Sequence, residues 1–123
     1  IYGMPEAGYL PIPKKILKAG VKDMIRISDG RMSGTAFGTI ILHVAPESAI
    51  GGPFSILKTG DKIKLSVKNK SLNVLITKSE MQKRLRNAKI KAPTIKRGYL
   101  KLYYDTVLQA DEGCDFDFLQ YKK

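Results

Sequence analysis

Cysteine and histidine are scarce in this sequence of 123 residues, since Cys114 and His43 are the only ones. A single cysteine excludes an internal disulfide framework, and together the two residues supply too few ligands for a zinc site, which needs about four. Scarce cysteine is typical of a reducing compartment, so we expect a cytoplasmic protein. A Ser-His-Asp triad would depend on His43, whose place at the end of an apolar strand favours a hydrogen-bonded structural histidine.

Long hydrophobic runs are also missing. No apolar run approaches the ~20 residues that a membrane-spanning helix needs, and no signal peptide is visible. The first residue is Ile1, so we expect the chain to have been cut from a tag or from a longer polypeptide. The hydrophobic content of 43% and charged content of 27% are ordinary for a soluble globular chain of one domain. Neither a glycine-rich nucleotide-binding signature nor a His-Glu-x-x-His motif is present.

Acidic residues are few, with 11 against 22 basic residues and a net charge of +11. Clustered cations bind nucleic-acid phosphates, but these lysines are spread along the chain, and aromatic residues do not interleave with them. The densest group lies at alternate positions of a predicted strand and its turn: Lys62, Lys64, Lys68 and Lys70. We interpret it as a solvated face. A non-catalytic basic module that binds nucleic acid or a protein is the alternative.

Apolar spacing and turn residues predict a mixed α/β domain. Strands are expected over residues 24–27, 39–44, 54–57, 62–67 and 72–77, and helices over 13–19, 45–49, 81–88 and 98–109. Gly20 would end the first helix, Pro46 would begin the second, and Ser79 would cap the third. The expected core face of the last helix is Leu100, Tyr103, Tyr104, Val107 and Leu108. Closely spaced strands with flanking helices favour a compact barrel or layered sheet.

The candidate site is the loop inside residues 27–44. Its two ends are β-branched and apolar, whereas its middle contains Ser28-Asp29-Gly30 and Ser33-Gly34-Thr35. Glycines there can adopt positive φ, and the loop would offer hydroxyls and backbone N–H groups to a ligand. Such a loop on a rigid scaffold is a typical place for functional residues. A plain glycine-rich β-connection is the alternative.

Three ordered segments, residues 28–34, 43–47 and 51–53, carry a specific resemblance, which Gly60-Asp61 and Gly98-Tyr99 extend. With them the sequence resembles the C-terminal domain of the dihydroxy-acid and sugar-acid dehydratase family (IlvD/Edd). The resemblance implies an α/β fold of the swivelling β/β/α type, similar to the aconitase swivel domain, with a β-barrel-like core flanked by helices. It also implies that residues 1–123 are the C-terminal domain of a larger dehydratase whose N-terminal, cluster-bearing domain is not in this sequence.

The implied activity is that of a hydro-lyase, which dehydrates a 2,3-dihydroxy sugar acid to a 2-keto-3-deoxy acid. By the resemblance, Ser33 corresponds to the base that takes the proton from C2, and Glu6 corresponds to a ligand of Mg²⁺. Gly34 and Thr35 would contact the substrate. Mg²⁺ would acidify the C2–H bond, and an iron–sulfur cluster would act as Lewis acid on the leaving hydroxyl.

The cluster ligands would belong to the N-terminal domain, so the isolated fragment is expected to be inactive. Cys114 matches a tail position of the family, and we expect a packed thiol there. The expected partners are the sugar acid, the chain's own N-terminal domain and further copies in a homo-oligomer, with no nucleic acid and no membrane.

The sequence after Ser33 separates two branches of the family. Residues 33–38 continue Ser-Gly-Thr-Ala-Phe-Gly, where the branched-chain amino-acid branch typically has Ser-Gly-Gly-Thr-Arg-Gly. This continuation and the tail over residues 109–116 resemble the aldonate dehydratases of carbohydrate metabolism, of the arabinonate or xylonate type. Residues 1–4, Ile-Tyr-Gly-Met, depart from the usual Gly-Pro-Gly-Met before Glu6. Dihydroxy-acid dehydratase of branched-chain amino-acid synthesis is the alternative.

Overall fold

The computed structural model describes residues 10–32 and 37–121. Within them the α-helices are α1 (Lys14–Lys18), α2 (Lys78–Asn87) and α3 (Tyr99–Thr106), and the strands are β1 (Arg26–Ile27), β2 (Ile40–Ile41), β3 (Ile63–Ser66) and β4 (Ser71–Val74). Short 3₁₀ helices cover Ser48–Ile50, Pro53–Ile56, Ala110–Glu112 and Asp117–Leu119. The strands of this part form two two-stranded sheets, β1-β2 and β3-β4. The swivelling fold with a barrel-like core stays a prediction.

The first sheet frames the candidate loop. β1 and β2 run parallel, with Arg26 opposite Ile40 and Ile27 opposite Ile41. The backbone N–H of Ser28 donates to the Ile41 carbonyl at 2.9 Å, and that of Val44 donates to the Ser28 carbonyl at 3.2 Å. Both strands were predicted, although they are shorter than expected. The loop between them therefore leaves and rejoins the same small sheet.

The second sheet is an antiparallel hairpin that pairs Ile63 with Val74 and Ser66 with Ser71. Its turn falls at the predicted position, where Lys70 adopts a φ of 48° and donates its N–H to the Val67 carbonyl. The alternation in β3 predicted one buried face, and this is wrong within the described residues. Ile63 and Leu65 are 38% and 37% exposed, because burial of a strand face requires a covering layer as well as a pattern.

Several predicted elements are shifted or changed in type. The strand expected over residues 54–57 is instead a 3₁₀ helix with Pro53 at its start, in which the Ser55 N–H and hydroxyl both donate to the Gly52 carbonyl. The helical turn expected over residues 45–49 is displaced to Ser48–Ile50, beyond Pro46. There Asp29 accepts the Ser48 N–H, a tertiary contact that local sequence does not predict.

Helix α2 begins earlier than expected because Thr77, not Ser79, is its N-cap. The Thr77 hydroxyl accepts the N–H of Glu80 at 3.1 Å, which satisfies one of the free donors of the first turn. The N-cap therefore lies two residues before the predicted one.

Helix α3 ends at Thr106, earlier than predicted, because the chain after it pairs with the tail. Val107 forms an antiparallel bridge with Phe116, and the Leu108 N–H donates to the Asp115 carbonyl at 2.8 Å. Tyr103 and Val107 are buried as expected, and Tyr104 and Leu108 are half-buried, whereas Leu100 is 50% exposed, so its predicted place in the core is wrong. The tail thus packs back on the end of α3, where Phe116 meets the Tyr103 ring edge-on.

Polar groups are as prominent as apolar ones in the interior of the described chain. The buried hydrophobic residues are Ile56, Tyr103 and Val107, and the buried charged residues are Arg26, Arg31 and Glu47. Large apolar side chains, among them Phe37, Val67 and Tyr121, are mostly exposed. A search of the described helices for one long and apolar enough to cross a bilayer finds none.

An ion-pair network joins α2 to the turn before β3. Arg84 contacts Asp61 at 2.6 Å and Glu80 at 2.7 Å, and the Arg84 and Asp61 side chains are both mostly shielded from solvent. The hydrogen bonds from Arg84 lower the pKa of Asp61 and of Glu80, and the two carboxylates raise the pKa of Arg84. A lowered carboxylate pKa contributes stability that is present above the unfolded-state value and lost as pH falls through the folded-state value.

We therefore expect the Asp61→Asn variant to be less stable than wild type near neutral pH. The deficit should narrow as pH falls below about 4, because the unfolded-state carboxylate binds a proton there while the folded state, with its lowered pKa, does so only at lower pH. The measurement is the unfolding midpoint of the protein as pH falls from 7 to the lowest value at which it stays folded. Asp105→Asn is the control, since the Lys101–Asp105 pair is exposed and expected to contribute little. A deficit that is constant with pH would contradict the assignment.

Candidate functional site

The predicted site residues Glu6, Ser33, Gly34 and Thr35 lie outside the described residues. The structure does describe the chain next to them, at Leu10, Met32 and Phe37. The segment 28–32, which leads into Ser33, is held by side chains from several distant parts of the sequence.

A buried ion pair anchors this segment. Arg31 Nε donates to Glu47 Oε1 at 2.7 Å, and the two side chains are only 4% and 2% exposed. The other guanidinium nitrogens donate to the Tyr103 hydroxyl at 3.2 Å and to the Leu108 carbonyl at 2.8 Å. Burial by itself lowers the pKa of Arg31, but the hydrogen bond and charge of Glu47 outweigh it, and the pKa lies above its ordinary value. Arg31 is therefore a fixed cation.

Glu47 is itself held on its backbone side. Its N–H donates to the Gln109 side-chain oxygen at 2.8 Å, just beyond the end of α3. Its carbonyl accepts the Gly52 N–H at 2.9 Å. A Cβ at position 52 would collide with the Pro46 carbonyl, so only glycine allows this close approach of the two backbones.

A second anchor is Asp29. Its carboxylate accepts both the N–H and the hydroxyl of Ser48, the N–H at 2.7 Å. The Ser28 hydroxyl accepts the Gly30 N–H at 2.9 Å and closes a local turn. Asp29 and Arg31 thus fasten the same loop to the same short turn, Ser48–Ile50 and the Glu47 before it.

His43 holds the backbone immediately before Ser33. Its Nε2 lies 3.1 Å from the Met32 nitrogen and 2.9 Å from the Met32 oxygen. The backbone of His43 has a φ of 55°, which is uncommon for a residue other than glycine. The hydrogen bond expected for His43 is thus present, while its structural role stays a prediction.

A second buried arginine lies on the other side of the loop. Arg26 donates to the carbonyls of Leu10 and Met24 at 2.6 and 3.2 Å and to that of Phe37. Asp23 lies 3.6 Å from it and accepts both the N–H and the hydroxyl of Thr39, which lowers the pKa of Asp23. Arg26 is buried, whereas Asp23 is substantially exposed.

Sequence reasoning missed Arg26, Arg31 and Glu47 as organising residues. The available signal for Arg26 was a charged residue between Ile25 and Ile27, since a cation on an apolar strand is buried only when it is paired. The prediction of a packed thiol at Cys114 is wrong, because this cysteine is exposed and adopts a φ of 55°. Among residues 10–32 and 37–121, no group of three or more His, Cys, Asp or Glu side chains could hold a metal ion.

Two buried arginines, Arg26 and Arg31, thus hold the described chain that follows and precedes residues 33–36. Comparison with known proteins assigns the family. The sequence model described as "Dihydroxy-acid/6-phosphogluconate dehydratase C-terminal" matches residues 1–114, and the chain belongs to this dehydratase family.

Several similar proteins are also named as dehydratases. The chain is 52% identical to the 6-deoxy-6-sulfo-D-gluconate dehydratase of Pseudomonas putida over 96% of its length, and 52% identical to the L-arabonate dehydratase of Azospirillum brasilense over 95%. It is 46% identical to the dihydroxy-acid dehydratase of Thermodesulfovibrio yellowstonii over 71% of its length. The chain spans about a fifth of the length of the two sugar-acid dehydratases, 20% and 21%, and 16% of the third protein.

We expect either single variant of the buried pair, Arg31→Met or Glu47→Gln, to lower the free energy of unfolding by about 3 kcal/mol, because each leaves a buried polar partner without its counterpart. The double variant should cost clearly less than the sum of the two. Chemical unfolding of the protein measures the free-energy change of all three variants.

The matched control is the exposed pair Lys101–Asp105, where Lys101→Met should cost less than about 1 kcal/mol. Strict additivity of the Arg31 and Glu47 substitutions would show that the two side chains do not interact.

Proposed function

We propose that this chain is the C-terminal domain of a larger hydro-lyase that dehydrates a 2,3-dihydroxy sugar acid to its 2-keto-3-deoxy acid. The observation that carries the proposal is the anchoring of residues 28–32 by Arg31–Glu47, Asp29–Ser48 and His43, directly before Ser33. Membership of a dehydratase family supports the reaction class. A base that must meet one C–H bond requires a defined position, and the anchored chain before Ser33 supports one.

In this proposal Ser33 is the base and takes the proton from C2 of the substrate. The C–H electron pair forms the C2=C3 bond as the C3 hydroxyl leaves with its bonding electrons, and the resulting enol tautomerises to the 2-keto acid. A serine hydroxyl is a weak base unless neighbouring groups stabilise its alkoxide. Gly34 and Thr35 are proposed substrate contacts beside it.

The chain's part in holding the family's cofactors is limited. Its single cysteine cannot supply the thiolates of an iron–sulfur cluster, so those ligands are proposed to lie in an N-terminal domain. A glutamate carboxylate fits Mg²⁺, a hard cation that prefers oxygen, and Glu6 is the proposed ligand from this chain. Bound Mg²⁺ would supply positive charge that acidifies the substrate C2–H bond.

The substrate class is proposed from two observations. The continuation Thr35-Ala36-Phe37-Gly38 after Ser33-Gly34 resembles the sugar-acid branch. Two of the relatives at 52% identity are named for a gluconate-type and an arabonate-type substrate, whereas the dihydroxy-acid dehydratases compared are 37–46% identical. An aldonate is therefore the proposed substrate, and 2,3-dihydroxyisovalerate is the alternative. A cytoplasmic location and a homo-oligomer stay predictions.

We expect the full-length protein, assayed anaerobically, to dehydrate at least one pentonate or hexonate faster than 2,3-dihydroxyisovalerate. On that substrate Ser33→Ala should lower kcat by about a hundredfold or more, since no other group replaces the base. The measurement is the initial rate of 2-keto acid formation by wild type and variant.

Ser79→Ala is the matched control, because it makes the same chemical change at an exposed position of α2 that is not the N-cap. Unchanged turnover in Ser33→Ala would overturn the assigned base, and a preference for 2,3-dihydroxyisovalerate would move the chain to the branched-chain branch.

A further inference from the structure

One guanidinium group touches the chain beside both predicted site segments. Arg26 donates from Nη1 to the carbonyl of Leu10, at 2.6 Å, and from Nη2 to the carbonyl of Phe37. Leu10 is four residues after Glu6, and Phe37 is four residues after Ser33. The third donor, Nε, bonds the Met24 carbonyl at 3.2 Å, next to β1. Arg26 is thus the side chain that meets all three backbone segments.

We propose that Arg26 is a positioning residue for the dehydration, which ties the chain that follows Glu6, at Leu10, to the chain that follows Ser33, at Phe37. This inference rests on the proposed function, in which Glu6 and Ser33 act on one substrate. Arg26 does not touch the reacting atoms in this account; it acts through the two backbones that it holds.

The chemistry of the guanidinium suits this role. Its N–H groups point in fixed directions within one plane, so it bonds three separate carbonyls at once, whereas a lysine ammonium is a single point of charge on a flexible stem. Arg26 is 7% exposed, and in a desolvated place an arginine that loses its acceptors is costly. Arg26 therefore holds the three carbonyl groups in fixed positions relative to one another.

The surroundings show a place built for this arginine. Asp23 stands 3.6 Å from Arg26 Nη2 and also binds Thr39 at the far end of the loop. Gly38 has a φ of +87°, and a Cβ there would come within 2.7 Å of Arg26 Nη2. A cavity of about 210 Å³ lies beside Arg26, lined also by Pro11, Ile12, Leu17, Lys22 and Phe37. The residues that follow both predicted segments thus meet at one cavity.

The test is hydrogen–deuterium exchange of the full-length protein, read by mass spectrometry on peptides that cover residues 1–10 and 33–38. We expect Arg26→Lys to raise the exchange rate in both peptides. Arg84→Lys is the matched control, since it makes the same change at another shielded arginine with several acceptors and should leave both peptides unchanged. A change in only one of the two peptides, or in neither, would overturn the proposal.

Turnover supplies a second readout that general destabilisation would not produce. In Arg26→Lys, misplacement of the two segments should lower kcat by about tenfold or more, while KM changes far less. If Arg26→Lys does not fold, Asp23→Asn serves instead, because it removes the charge beside Arg26 while its side-chain oxygen can still accept from Thr39. Faster exchange over 33–38 alone in that variant would overturn the coupling. Hydrogen–deuterium exchange does not depend on activity. If Ser33→Ala kept its turnover, the proposed function would be refuted, whereas the exchange result for Arg26 would stand on its own.

Discussion

The Arg31–Glu47 ion pair is the interaction on which the arrangement of the described chain depends. Taking two charges out of water costs several kcal/mol for each ion unless both are paired and hydrogen-bonded. The Tyr103 hydroxyl and the Leu108 carbonyl meet this requirement for Arg31. The pair can therefore form only when the candidate loop, the Ser48–Ile50 turn and the end of α3 come together. The conformation of residues 28–32 thus depends on the packing of all three.

Arg26, on the other side of the loop, is also a buried and hydrogen-bonded cation, and its main acceptors are backbone carbonyls. Hydrogen bonds are directional where apolar contacts are not. A loop fastened by buried guanidinium groups is consequently held at defined atoms, which a contact between aliphatic side chains would not achieve. This is the kind of support that a site requires when its reacting groups must be placed to within about 0.5 Å.

Local pattern predicted those parts of the fold that depend on neighbouring residues: α1 and its end at Gly20, β1, β2, the β3–β4 hairpin and the existence of α2 and α3. The prediction from local pattern failed where contacts between residues far apart in the sequence determine the structure. The partners of Arg31 lie 16, 72 and 77 residues away, and the exposure of Leu100 depends on what packs over α3. The site residues Ser33 and Glu6 came from the family resemblance, because hydroxyl and carboxylate chemistry in a loop is common and local sequence alone does not distinguish a base or a ligand from a solvated side chain.

The proposed base, Ser33, has to reach C2 of the bound sugar acid. A crystal structure of the full-length protein with its cofactors and the 2-keto-3-deoxy acid product bound would show whether it does. We expect a distance of about 3.5 Å or less between Ser33 Oγ and C2, within the range of a reactive contact. A Ser33 hydroxyl turned away from the ligand, with another side chain nearest to C2, would contradict it.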